Sequence, residues 1–200
     1  DAVNRRFGVA TGKPLEDSRR FAEAYTRSQV GELPPLVLAA LRQKMVVLAG
    51  ELAQGVVFAN VARSHVPASL SALPAAKRDD PAFYVGNMIP VCISDDRAAA
   101  AAKNRRTLQM YLNFPNYRNY WREAGYGDEM DRVEKAIAAG ERERVHELVS
   151  ERWLADVSLF GSAAEVREGV AAWRAAGVRT PILVPSSAAG NQLKAFEELF

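Results

Sequence analysis

The sequence predicts an α/β fold of parallel strands: about four βα units and one helical insertion. Three observations predict it. Short apolar runs at 36–40, 56–60, 83–93 and 181–185 alternate with segments of helical periodicity. The first runs lack the polar alternation of a strand with one wet face, which suits strands buried in a parallel sheet. Residues 113–160 then interrupt the rhythm, roughly 45 residues beyond what a crossover needs. Eight βα units close a TIM (β/α)8 barrel, so four make about half of one.

The elements follow in order. Residues 1–12 are polar, with Gly8 and Gly12, and read as a loop. Pro14 to about Gln29 reads as a helix: Pro suits a first turn, and Glu16 and Asp17 suit the positive end of the dipole. Its apolar face is Phe21, Ala24 and Tyr25, and Gly31 ends it. Pro34 and Pro35 mark the start of the first strand, which runs to Ala40. Met45, Leu48, Ala49 and Leu52 then repeat at i, i+3, i+4, i+7 as one helix face. Gly55 stands where a C-cap glycine is expected, and Val56 to Phe58, closed by Asn60, is the second strand.

Ala62 to Ala76 reads as a loop and a helix, with Ser64 as cap and Val66, Leu70 and Leu73 inward. Asp80-Pro81 is a turn, and Phe83 to Ile93 is the third strand, with Gly86 and Pro90 as expected irregularities. Ser94-Asp95-Asp96 caps a helix reaching about Tyr111. In the insertion, Tyr117, Tyr120 and Trp121 share one face, Met130, Val133 and Ile137 a second, and Val145, Leu148 and Val149 a third. The expected place for it is the barrel mouth. Ser162 with Glu165 signals a capping box for a helix to Ala176, with Val166, Val170 and Trp173 inward and Gly177 as stop. Ile182 to Val184 is the fourth strand, and residues 191–200 form a last helix with Leu193, Phe196 and Leu199. No linker divides the chain, so residues 1–200 are expected to form one domain, with 113–160 inserted in it.

Composition excludes several classes. The 200 residues are 48% apolar and 25% charged, as in ordinary globular chains that bury a substantial core. A net charge of +2 gives no grip on nucleic acid or an anionic membrane, so neither is expected as a partner. One cysteine, Cys92, excludes an intrachain disulfide and a multi-cysteine zinc site; it reads as a packed core thiol. No apolar run approaches the ~18 residues of a membrane span, and no leader-like segment is visible, so a cytoplasmic location is expected.

The stretch from strand end to helix start, Ala39, Ala40, Leu41, Arg42, Gln43, Lys44 and Met45, is the first candidate site. Free N–H groups at a helix start, with two basic side chains, suit a phosphate. Taken alone, an ordinary ligand-free βα turn explains it better. Gly161-Ser162 and Ser186-Ser187 are secondary anion candidates, because barrel phosphate sites often follow the last strands. Asn60, at a strand's C-terminal end, is placed to hydrogen-bond a ring. His65 follows the same strand and is a substrate-pocket candidate, although a structural loop histidine is the simpler reading. Tyr111 and Phe114 are further pocket candidates among aromatics that mainly pack the insertion. Asp95 and Asp96 are better explained by capping than by a metal, and no metal site is expected. Ser-His-Asp sets, a P-loop and GxGxxG are absent.

The run AALRQKMVVLAGELAQGVVF resembles the bacterial-luciferase-like monooxygenases, the luciferase-like flavin- or deazaflavin-dependent oxidoreductases. The deazaflavin branch carries AAxGPKM at the strand end and then LAGExADGV. Ala39, Ala40, Lys44, Met45, Leu48, Ala49, Gly50, Glu51, Ala53, Gly55 and Val56 match that pattern; Arg42 and Gln43 replace its Gly-Pro. The resemblance covers roughly the whole chain and implies a TIM barrel of which this is the C-terminal half, starting at the helix after the fourth strand. It implies an oxidoreductase or monooxygenase moving hydride or oxygen on a small organic substrate. Coenzyme F420 is the first choice of cofactor and FMN the second, with the phosphate or ring near Ala40–Met45. Catalytic residues are not assigned, and homodimerisation is expected as a further property. The alternative is a non-catalytic βα interaction protein, or an inactive fragment.

Overall fold

The computed structural model describes residues 12–28, 31–190 and 192–199, so the expected loop over residues 1–12 lies almost wholly outside the described residues. Five parallel strands form one sheet: β1 (Val37–Ala39), β2 (Gly55–Ala59), β3 (Tyr84–Ile93), β4 (Leu159–Gly161) and β5 (Thr180–Ser187). The helices are α1 (Pro14–Thr26), α2 (Gln43–Leu52), α3 (Val66–Ser71), α4 (Ala75–Arg78), α5 (Arg97–Leu112), α6 (Pro115–Glu123), α7 (Gly127–Ala138), α8 (Glu151–Val157), α9 (Ala163–Ala175) and α10 (Gln192–Leu199). Short 3-10 segments cover Arg63–His65 and Arg142–Glu147.

The four expected strands are neighbours in sequence order. β1 pairs with β2, β2 with β3 and β3 with β5, all parallel. The fifth strand, β4, was not expected. Val91–Ile93 pair with β4 and β5 at once, so β4 lies on the same edge of β3 as β2, beyond the point where β2 ends. Pro90 and Gly86 do not disturb β3: its register against β5 runs unbroken from Gly86 to Ile93.

Residues paired in register share a sheet face. One face carries Leu38, Val56, Phe58, Val85, Ile89 and Val91, all buried. Val85 borders a cleft with Leu70 and Leu73, so helices cover this face. The other face carries Val37 at 36% exposure, exposed Ala39 and Met88 at 43%, beside half-buried Val57, Ala59 and Ile182. β1 and β5 also keep one free edge each among the described strands. An apolar face exposed around Val37, Ala39 and Met88, with unpaired strand edges beside it, favours association. Sedimentation velocity on this chain is expected to show mass rising with concentration. A sharp melt from a concentration-independent monomer would contradict that.

Several local expectations need correction. Gly55 does not cap α2; Ala53 ends that helix in an extended conformation and Gly55 opens β2. The glycine is needed because a Cβ there would stand 2.5 Å from Tyr84 Cβ and 2.8 Å from its carbonyl oxygen. Ser64 does not cap a helix either: its hydroxyl donates to Asp156, 92 residues away. α1 stops at Thr26 with Arg27 as cap, short of Gln29, which lies outside the described residues. It buries Ala22 and leaves Phe21 60% exposed. α10 likewise buries Ala195 while Leu193 and Phe196 stay exposed, and the Leu199 side chain lies outside the description. Other caps stand as read. Asp96 accepts from Ala99 N, and Ser162 with Glu165 forms the capping box.

Candidate functional site

β1 ends at Ala39, and Ala40 N still donates to Val57 O at 2.9 Å, so the ladder holds the chain up to the turn. Leu41 and Arg42 make the turn and Gln43 begins α2. Arg42 takes φ −116°, ψ 161°, an extended conformation open to any residue, so the helix starts without the glycine of the family pattern. No side chain caps α2. By helix geometry the Gln43 and Lys44 N–H groups have no intrahelical acceptor, whereas Met45 N already donates to Arg42 O at 3.0 Å. Ala40 is buried, Leu41 and Met45 are half-buried, and Arg42, Gln43 and Lys44 are exposed.

The insertion lies over this end of the sheet. Arg42 Nε donates to Glu123 Oε1 at 2.9 Å, joining the β1–α2 turn to the end of α6, and this raises the guanidinium above its ordinary pKa. Trp121 Nε1 donates to Asn60 O at 3.2 Å, and Ala62 N donates to the Tyr120 hydroxyl at 3.2 Å. Asp156 of α8 accepts from Ser64 N at 2.9 Å and from the Tyr126 hydroxyl at 2.8 Å. Each partner on the sheet side follows the C-terminal end of β1 or β2. Burial pushes the Tyr120 and Tyr126 phenols well above their usual range, so both stay protonated. α6 is also tied to α7: Arg118, almost buried, pairs with Glu134 at 3.1 Å, and Arg122 pairs with Asp131 and Glu134.

Two adjoining clefts result. One, about 330 Å³, is lined by Arg42, Gln43, Lys44, Met45 and Glu123. The other, about 270 Å³, is lined by Leu41, Arg42, Gln43, His65, Ala68, Ser69, Tyr120 and Glu123. The structure thus brings His65 to the same turn. Its ring meets Tyr120 edge-on, 5.5 Å between centroids. Larger clefts of about 430 and 590 Å³ sit beside Arg78 and Arg179, before β3 and β5, and beside Gln54, before β2. Those are the N-terminal strand ends, where conserved barrels keep stability rather than chemistry.

The remaining candidates lie elsewhere. Asn60 is 4% exposed and takes φ +54°, which asparagine tolerates better than most residues. Its carbonyl is taken by Trp121, and the phenol of Tyr117 is pushed up to about 12, chiefly by burial. Asn60 is therefore an anchor for the insertion, not a group facing either cleft. Tyr111 packs edge-on against Phe114 and Tyr117, at 6.4 and 5.0 Å, and neither Tyr111 nor Phe114 lines the two clefts. The secondary anion candidates are already occupied. Glu165 accepts from Ser162 N at 2.8 Å and from Arg97; Ser186 Oγ donates to Val91 O, and Ser187 Oγ accepts from Ala189 N. Cys92 is a buried free thiol, and no acidic, histidine or cysteine cluster fit for a metal occurs among the described residues. Among the described residues no helix is long and apolar enough to cross a membrane. Sequence reasoning missed Glu123. Nothing in the local pattern of α6 marks it, because its partner lies 81 residues away.

A parallel α/β sheet with its turn clefts and helical insertion at the C-terminal strand ends defines a partial TIM barrel. The chain belongs to the luciferase-like monooxygenase family, whose sequence profile matches residues 6–180. It is 30% identical over 125 residues to a Mycobacterium tuberculosis protein assigned by name to the coenzyme F420-dependent oxidoreductases. That match covers 58% of this chain and 35% of the relative. The fold is similar to coenzyme F420-dependent tetrahydromethanopterin reductase from Methanopyrus kandleri, with TM-score 0.64 and 19% identity over 82% of this chain and 48% of that one. It is also similar to an F420-dependent secondary alcohol dehydrogenase solved with an F420–acetone adduct, with TM-score 0.64 and 13% identity over 96% and 63% of the two chains. The chain spans between about a third and two thirds of the length of these relatives.

Proposed function

We propose that this chain forms about the C-terminal half of a luciferase-like oxidoreductase that uses coenzyme F420, with FMN as the second choice. The observation that carries it is the cleft at Arg42–Met45, roofed by α6 at the C-terminal end of β1 in a chain of this family. The uncapped start of α2 and the cations of Arg42 and Lys44 fit the phosphate end of such a cofactor. When bound, the cofactor supplies the hydride chemistry. The chain's own part is to anchor the phosphate at Ala40–Met45, to place the insertion over it, and to present His65 at the neighbouring cleft as the substrate contact. Tyr111 and Phe114 then belong to the packing of the insertion. The exposed part of that sheet face is where the first half of the barrel would pack, so in this reading residues 1–200 are one piece of a single domain. A small organic molecule is the partner, homodimerisation a further one, and the cytoplasm the location.

Backbone anchoring makes two substitutions mild. Lys44→Ala is expected to weaken cofactor binding by about 1 kcal/mol or less, as for a solvent-exposed charge. Gln43→Pro is expected to leave affinity and stability nearly unchanged. A first-turn N–H is dispensable, and Arg42 already has the extended φ and ψ that a following proline demands. Titration of the full-length protein with oxidised and reduced coenzyme F420, and with FMN, checks both. Loss of binding in Gln43→Pro, or binding of neither cofactor by wild type, would refute the reading. The second outcome leaves a non-catalytic interaction protein.

A further inference from the structure

Glu123 ends α6 and reaches across the β1–α2 turn. Both Nε and Nη2 of Arg42 donate to its Oε1. The two side chains are each about half exposed, at 50% and 42%. The pair forms the wall between the two clefts, since Arg42, Gln43 and Glu123 line both. Glu123 is the acidic residue lining either of them. Lys44 lines one and has no ion-pair partner among the described residues. A carboxylate therefore already holds the arginine fork on which an incoming anion would be received. A half-exposed ion pair is weak enough to be exchanged for a ligand that engages more donors at once.

We propose that Glu123 is a displaceable internal anion: a phosphate-bearing ligand takes Arg42 from it, and Glu123 thereby selects phosphate over weaker anions. This rests on the reading of Ala40–Met45 as a phosphate site. The selectivity follows from competition. A simple carboxylate gains on Arg42 only what Glu123 gives up. A phosphate group, with more acceptor oxygens than a carboxylate, also engages Lys44 and the Gln43 and Lys44 N–H groups at the start of α2. Displacement breaks the direct tie between the turn and α6, while Trp121 and Tyr120 keep the insertion seated on Asn60 and Ala62.

The test is calorimetric titration of the full-length protein with inorganic pyrophosphate, sodium acetate and coenzyme F420 at low ionic strength. Wild type, Glu123→Gln, Arg42→Ala and the double variant are compared. Glu123→Gln is expected to tighten pyrophosphate roughly three- to tenfold, with the gain shrinking in salt. Acetate binding should become detectable in this variant alone. In the Arg42→Ala background the same change should give a clearly smaller gain. Unchanged or weaker pyrophosphate affinity in Glu123→Gln, with wild-type binding intact, overturns the proposal and leaves the phosphate-site reading standing. No pyrophosphate binding by any form overturns both. Tightening of pyrophosphate without tightening of coenzyme F420 supports the displaceable anion and assigns the site to a free phosphate, against the cofactor reading.

Discussion

Trp121→Ala is expected to destabilise the protein by about 3–5 kcal/mol, the range for deleting a buried aromatic. Trp121 is 0% exposed, packs edge-on against Trp153 at 4.9 Å and lies 5.4 Å from Tyr117. Its indole also donates to Asn60 O, so deletion leaves a cavity and a buried carbonyl without that donor. Whole-domain stabilities are about 5–15 kcal/mol, so the loss is a large share of the total. Trp121→Phe keeps most of the packing and loses the N–H; about 1–2 kcal/mol is expected for it. Urea unfolding of the three forms separates the two contributions. A loss under about 1 kcal/mol in Trp121→Ala would mean that the insertion is not anchored through this residue.

Much of the fold was legible because its signals are local. Four apolar runs between helical stretches are enough to give β1, β2, β3 and β5 and their order, since a parallel crossover leaves few topologies. β4 was not legible. Leu159–Gly161 is three residues long, directly after α8, and no periodicity can show in so short a run. The apolar stripes of α1 and α10 were visible, but which side is covered depends on neighbours, and Ala22 and Ala195 turned out to be the buried residues. Gly55 looked like a helix stop because both a C-cap and a crowded strand start select glycine. Only the nearness of Tyr84 distinguishes them.

The candidate site was legible in half. The turn at Ala40–Met45 follows from the sequence of one βα unit, and so does its helix start. What sits over the turn does not, because the contacts cross 58 to 92 residues: Tyr120 with Ala62, Glu123 with Arg42, Asp156 with Ser64. Asn60 shows the same limit from the other side. Its place at a strand end suggested a ligand contact, and what the sequence could not show is that Trp121, 61 residues on, donates to its carbonyl.

Ala40→Leu is expected to reduce cofactor affinity at least about a hundredfold, roughly 2.7 kcal/mol, far more than any change at Lys44. Ala40 is 7% exposed, with its N–H fixed to Val57 O, so the larger side chain cannot swing out without breaking the ladder. The added methylenes must shift either the core beside β1 or the turn that presents the first N–H groups of α2. Overpacking of this kind costs about 1–3 kcal/mol in stability, which a folded domain survives. Binding is hit harder, because a phosphate held by backbone donors depends on where the turn lies to within a fraction of an ångström. Thermal melting comes first, to show that the variant is folded at the titration temperature; Ala40→Gly serves as the control that adds no volume. Titration with coenzyme F420 then decides. Equal affinity in Ala40→Leu and wild type would move the phosphate away from this turn.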